Sequence, residues 1–67
     1  MLRVTNTSTN VDAVVEINDA EVASLNGSMT NDNAYMSMNT YNLEAVKAAK
    51  ADVASDVAEY VEVLLNK

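Results

Sequence analysis

Residues Asn42 to Lys67 read NLEAVKAAKADVASDVAEYVEVLLNK, and this stretch decides the fold. Leu43, Val46, Ala49, Val53, Val57, Tyr60, Val61 and Leu64 recur at spacings of three and four, with no proline or glycine between them. That periodicity predicts one long amphipathic helix, roughly 36 Å in length at 1.5 Å per residue. Asn42 is placed as its N-cap, and Glu44 in the first turn suits the positive end of the helix dipole. Projected at about 100° per residue, the apolar arc centres on Val46, Val53, Val57 and Leu64. Glu44, Asp52, Ser55, Asp56, Glu59, Glu62 and Asn66 fall on the opposite side. Lys50 falls inside the apolar arc, where its stem packs and its ammonium reaches water.

Upstream of the helix the period changes from 3.6 to 2. Leu2 and Val4 alternate with Arg3 and Thr5 before the polar run Asn6-Thr7-Ser8-Thr9-Asn10. Val11, Ala13, Val15 and Ile17 then point one way, and Asp12, Val14, Glu16 and Asn18 the other, as in a strand with one buried and one wet face. Asn18-Asp19 reads as a turn, because both residues tolerate left-handed backbone. Ala20 to Gly27 admits two readings. Asn18 with Glu21 can form a capping box ahead of a short helix ended by Gly27. As a strand, the same stretch puts Ala23, Leu25, Gly27 and Met29 on one face and Ser24, Asn26, Ser28 and Thr30 on the other, and this regular alternation favours the strand. Asn31-Asp32-Asn33 is a strong turn signal, followed by Ala34, Met36, Met38 and Thr40 alternating with Tyr35, Ser37, Asn39 and Tyr41. Leu25, Met29, Met36 and Met38 are expected beneath the helix. Gly27, in mid-strand, marks a bulge or a place where a bulky neighbour packs down.

The expected architecture is α+β. A small antiparallel sheet of three to four strands (1–41) carries one long C-terminal helix (42–67) on one face, in a single domain spanning 1–67. A chain of 67 residues buries only about 60% of its unfolded surface, so the core is thin.

Composition excludes several classes of function. With no cysteine and no histidine, the chain lacks thiol nucleophiles, imidazole bases and the usual zinc ligands. Neither a calcium loop nor a glycine-rich phosphate loop is present, and the chain is too short to enclose a pocket. No enzyme activity, metal or cofactor is expected. A formal charge of −6 argues against direct binding to nucleic acid or to an anionic membrane, which need clustered lysine and arginine. No segment approaches the length of a membrane span, and the opening Met1-Leu2-Arg3-Val4-Thr5 turns polar at once, unlike a signal peptide. A cytoplasmic protein is the default expectation.

Two surfaces stand out as candidate contact sites. Asp52, Asp56, Glu59 and Glu62 form an acidic ridge along the helix, able to imitate a row of phosphates toward a basic protein. Tyr35, Asn39 and Tyr41, with Ser37, Ser24, Asn26, Ser28 and Thr30, form a polar sheet face whose tyrosines bring contact area and whose serines and asparagines bring adaptable hydrogen bonds. Each has a plainer counterpart, a solvated helix face and the wet side of an antiparallel sheet. Edge strands, exposed Val14 and Val63 and an alanine-rich helix flank also predict self-association as a homodimer or higher oligomer, helix to helix or edge to edge.

The layout of a strand, a polar hairpin ending in Met36-Ser37-Met38-Asn39-Thr40-Tyr41-Asn42, and a terminal helix carrying Val53, Asp56 and Tyr60 resembles the small acidic accessory proteins of phages and mobile elements of Gram-positive bacteria. The resemblance implies a protein of the bacterial host cytoplasm that binds and blocks a host protein, defence nucleases included. The alternative is an assembly protein whose main partner is itself.

Overall fold

A computed structural model describes residues 1–67. Four strands, β1 (Leu2–Asn6), β2 (Val11–Ile17), β3 (Ala20–Met29) and β4 (Ala34–Thr40), precede two helical segments, α1 (Leu43–Ala48) and α2 (Lys50–Leu65). The strands form one antiparallel sheet in the order β1-β2-β3-β4. The α+β class and the four-strand reading hold, and Ala20–Gly27 is strand.

The turns follow from their residues. Asn18 and Asp19 take φ values of 52° and 66°, which is the conformation a two-residue hairpin needs to match the twist of its strands. At the next turn the Thr30 N–H and hydroxyl both donate to the Asn33 carbonyl, at 2.7 and 3.2 Å. Asn42 caps α1 as expected, its side chain accepting the Ala45 N–H at 3.1 Å.

Strict alternation fails at one place in β3. Val15 pairs with Ala23 and Glu16 with Glu21, so Val22 is an extra, bulged residue. Val22 and Ala23 are consequently both buried although adjacent. The bulge also frees the Val22 carbonyl, which accepts the N–H groups of Tyr41 and Asn42 at 2.8 and 3.3 Å and so ties the start of α1 to β3.

The single long helix is corrected to two segments. Ala49 adopts φ −116° and ψ 36°, outside the helical region. No proline or glycine causes this break. The start of α1 is fixed to β3 through Val22, the axis of α2 is fixed by the burial of Val53, Tyr60 and Leu64, and the two directions are reconciled at Ala49, where no large side chain resists.

Ten apolar residues make the core: Val11, Ala13, Val15, Val22, Ala23 and Leu25 from the sheet, with Val46, Val53, Tyr60 and Leu64 from the helices. The buried arc of α2 runs through Val53, Asp56, Tyr60 and Leu64, a rotation of roughly 40° from the arc expected at 100° per residue. Val57 is only half-buried. Lys50 lies outside this arc and is exposed. The cause of the rotation is Tyr60. Its side chain is fully buried, and its hydroxyl donates to the Val11 carbonyl at 2.7 Å. The ring lies over Gly27, where an added Cβ would sit 2.9 Å from the Tyr60 hydroxyl and 3.1 Å from the Met36 Cα, and closer still to the Tyr35 carbonyl. Gly27 is thus the place where a bulky neighbour packs down.

α2 packs across β1, β2 and β3 and leaves β4 largely uncovered. Met36 is therefore only half-buried, and Met38, expected beneath the helix, is 42% exposed.

Gly27→Ala should lower unfolding free energy by about 2–3 kcal/mol through overpacking against backbone. Tyr60→Phe should lower it by about 1 kcal/mol through loss of the phenol hydrogen bond to the Val11 carbonyl. Urea denaturation of both variants measures this, and an unchanged midpoint for Gly27→Ala would remove the glycine from this account.

Burial raises the Tyr60 phenol above its ordinary pKa of 10.0, and the Asp12 carboxylate and then Tyr35 raise it further. The fold holds the neutral phenol, so this contribution is complete below the ordinary pKa and is lost as pH rises through the folded value. Stability should therefore fall above about pH 10. In Tyr60→Phe that part of the alkaline loss should be missing, as thermal melts across the range would show.

Candidate functional site

Six of the seven residues singled out as contact residues lie on two surfaces that face opposite ways. Asp52, Glu59 and Glu62 lie on the solvent side of α2, all exposed. Tyr35 and Asn39 lie on β4, and Tyr41 directly follows it. The paired positions Ser28–Tyr35, Asn26–Ser37 and Ser24–Asn39 share the sheet face away from the helix. Tyr35 is 62% exposed and Tyr41 61%. Across this open face the Ser37 hydroxyl donates to Asn26 Oδ1 at 2.6 Å. The polar face exists as expected, but with the sheet between it and the acidic ridge, the two cannot form one contact site.

Asp56 does not belong to the exposed ridge. It is 8% exposed and turned toward the sheet, with Oδ2 3.0 Å from the Met1 ammonium. That ammonium donates its hydrogen bond to the Glu16 carbonyl at 2.6 Å. Its contact with Asp56 is a charge contact without hydrogen-bond alignment, which leaves Asp56 Oδ2 otherwise unpartnered. The rotation of α2 imposed by Tyr60 brings Asp56 inward, one turn earlier on the same side of the helix. A buried carboxylate looks like a gap in the apolar pattern, and the one signal for it is spacing, three residues from Val53 and four from Tyr60.

What remains of the ridge is unpaired. Arg3 is shared by two carboxylates on the open face, Glu16 at 3.2 Å and Glu21 at 3.0 Å, and the ion pairs of the chain are these two and Met1–Asp56. No cation neutralises Asp52, Glu59 or Glu62. Glu59 and Glu62 sit in the C-terminal half of α2, and no basic residue occupies its last turn. The negative end of the helix dipole disfavours a carboxylate in that last turn, where Glu62 stands, by a few tenths of a kcal/mol. These two glutamates flank an open groove of about 650 Å³ between α2 and the β1–β2 loop, lined also by Thr7, Val11 and Val63. At its far end the Lys67 ammonium donates to the Thr9 carbonyl at 3.2 Å.

A second, apolar slot of about 200 Å³ lies between β4 and the last turns of α2, lined by Ala34, Tyr35, Met36, Val61, Leu64 and Leu65. It was not legible in the sequence, since it exists because α2 stops short of β4. No helix is long and apolar enough to cross a membrane.

Asp56→Ala should lower stability by about 1 kcal/mol, a modest value because its ammonium partner is open to solvent. Asp52→Ala and Glu59→Ala should each stay within about 0.5 kcal/mol of the parent. Equal losses at all three positions in chemical denaturation would contradict the division into one structural and two free carboxylates.

Compared with known protein families, characterised proteins and solved structures, the chain has no match.

Proposed function

We propose that this chain is a non-enzymatic protein-binding module that occludes a basic surface on a partner protein, with Asp52, Glu59 and Glu62 as the contact residues. The supporting observation is that these three carboxylates are exposed and unpaired, with Glu62 in the last turn of a helix whose dipole disfavours it there. Fixed on a rigid helix, they present negative charge on an already ordered backbone, so only their side-chain rotamers have to be ordered on binding. A complementary cationic patch would gain mainly in association rate and selectivity.

The resemblance to small acidic accessory proteins of phages and mobile elements supports, as the partner, a nucleic-acid-handling or defence protein of a bacterial host, met in the cytoplasm. The chain would bind the patch that such a protein otherwise offers to phosphates. It would touch no nucleic acid itself. The open polar face with Tyr35, Asn39 and Tyr41 is left for a second, uncharged contact.

The test is capture from nuclease-treated bacterial lysate with the tagged chain, beside the triple variant Asp52→Lys, Glu59→Lys, Glu62→Lys. The expected outcome is a basic protein recovered in stoichiometric amount, released by raised salt and lost with the triple variant, whose circular dichroism stays that of the parent. Capture that survives both charge reversal and high salt would overturn the proposal.

A further inference from the structure

We infer that β4 is a self-association edge, and that two copies pair antiparallel through it about a dyad at Ser37. The inference is independent of the acidic helix surface. It rests first on the phase of the β3–β4 ladder. Tyr41 N–H donates to the Val22 carbonyl at one end, and Thr30 N–H to the Asn33 carbonyl at the other. The register between them runs from Ala23–Thr40 to Met29–Ala34 without a shift. In an antiparallel ladder, residues alternately turn their N–H and C=O toward and away from the neighbour. Asn33, Tyr35, Ser37, Asn39 and Tyr41 therefore face β3. Ala34, Met36, Met38 and Thr40 turn their backbone groups out into the open edge.

Those four outward positions are symmetric about Ser37. An antiparallel copy centred there pairs Ala34 with Thr40 and Met36 with Met38, and each such pair exchanges two backbone hydrogen bonds. Ser37 meets Ser37 across the dyad. On the helix side the methionines of one copy pack against those of the other. On the open side Tyr35 lies opposite Asn39. No step of this ladder opposes like charges.

Charge selects this edge over the rest of the surface. In a chain of net charge −6, β4 is the strand without a charged residue, whereas β1 carries Arg3, β2 Asp12 and Glu16, and β3 Glu21. A second copy approaching over α2 meets carboxylates, and one pairing through the other free edge, β1, meets Arg3. The distribution of apolar surface agrees. Of the large hydrophobic residues left exposed, Tyr35, Met38, Tyr41, Leu43 and Leu65 lie on β4, directly after it or in the slot beside it, and the two others, Met1 and Val4, lie at the opposite edge. β4 also lacks the usual guards of a free edge, lysine, proline or an overlying helix.

The native sequence has no cysteine, so single cysteines can read the register. At the dyad a non-hydrogen-bonded pair places its Cα atoms about 4.5 Å apart, within the range a disulfide accepts. Ser37→Cys should oxidise to a covalent dimer about tenfold faster or more than Ser55→Cys on the exposed helix, because pairing sets a high effective concentration. Sedimentation at micromolar concentration should give a dimer for the native chain. Met38→Pro removes an N–H that does not serve β3, so the fold should persist while the dimer is lost. Should Met38→Pro disturb the fold, Ser37→Lys places like charges on the dyad from the exposed face and should give a folded monomer. A monomeric native chain, equal oxidation of the two cysteine variants, or a dimer that survives Ser37→Lys would each overturn the inference. The last outcome would point to pairing between helices.

Discussion

Seating Tyr60 over Gly27 is the constraint on which the rest of this structure depends. The chain has no phenylalanine or tryptophan and three tyrosines, and Tyr60 is the one aromatic ring that is buried. Its neighbours in the core are valines, alanines and leucines. A ring of that size on a flat sheet needs a gap beneath it, and the absent side chain of Gly27 supplies the gap. Its hydroxyl needs an acceptor in a dry place, and the Val11 carbonyl supplies that. Two short-range necessities thus join α2 to β2 and β3 across 49 residues of chain. They also fix the rotation of the helix, because the phenol reaches the carbonyl from one direction only.

From that rotation the other unexpected features follow. Turning Tyr60 inward carries Asp56 with it, and a carboxylate that would otherwise be surface charge meets the Met1 ammonium beside the Glu16 carbonyl. It carries Val57 partly outward. It also sets α2 over β1 to β3, so that the apolar side of β4 has nothing above it but the slot beside Leu64 and Leu65. In a core this small the position of one ring decides which edge is covered.

Most of the backbone was legible in the sequence because local rules and tertiary structure agree there. Alternation located all four strands, Asn18-Asp19 announced a hairpin that demands positive φ, and Asn42 announced its cap. The polar set from Ser24 to Tyr41 was readable as one wet face for the same reason. Misreadings cluster where tertiary contacts overrule a local pattern. The bulge at Val22 buries two adjacent residues, which a period of two cannot express. The break at Ala49 has no proline or glycine to signal it, since alanine is the best helix former and yields only because its flanks are held elsewhere. Met38 alternates as faithfully as Leu25, but it stands on an edge that the helix does not reach. Asp56 was assigned by charge to the solvent side, although its spacing from Val53 and Tyr60, three and four residues, is that of the buried stripe. Gly27 shows the converse: an isolated glycine in a strand pointed to a heavy neighbour, and the partner was the aromatic residue of the helical period.

The acidic helix surface and the uncharged edge are compatible, and together they have a geometric consequence. Under the proposed pairing, a dyad perpendicular to the sheet would keep both helices on the same face of an eight-stranded sheet. Each copy would then contribute Asp52, Glu59 and Glu62 to one side of that assembly, while both open faces with Tyr35 and Asn39 would form the other. Two acidic helices held by a common sheet present a repeated negative surface at fixed separation. A partner with two basic patches at that separation would be held more tightly than either helix alone could hold it, by effective concentration and without new contacts. One with a single patch would gain nothing from the pairing. Mutual repulsion between the two acidic chains would weaken such a dimer at low salt and be screened as salt rises, whereas attraction to a basic partner would itself weaken as salt rises. The same ions would thus strengthen the proposed edge contact and weaken the proposed helix contact, which makes the two surfaces separable by ionic strength within one molecule.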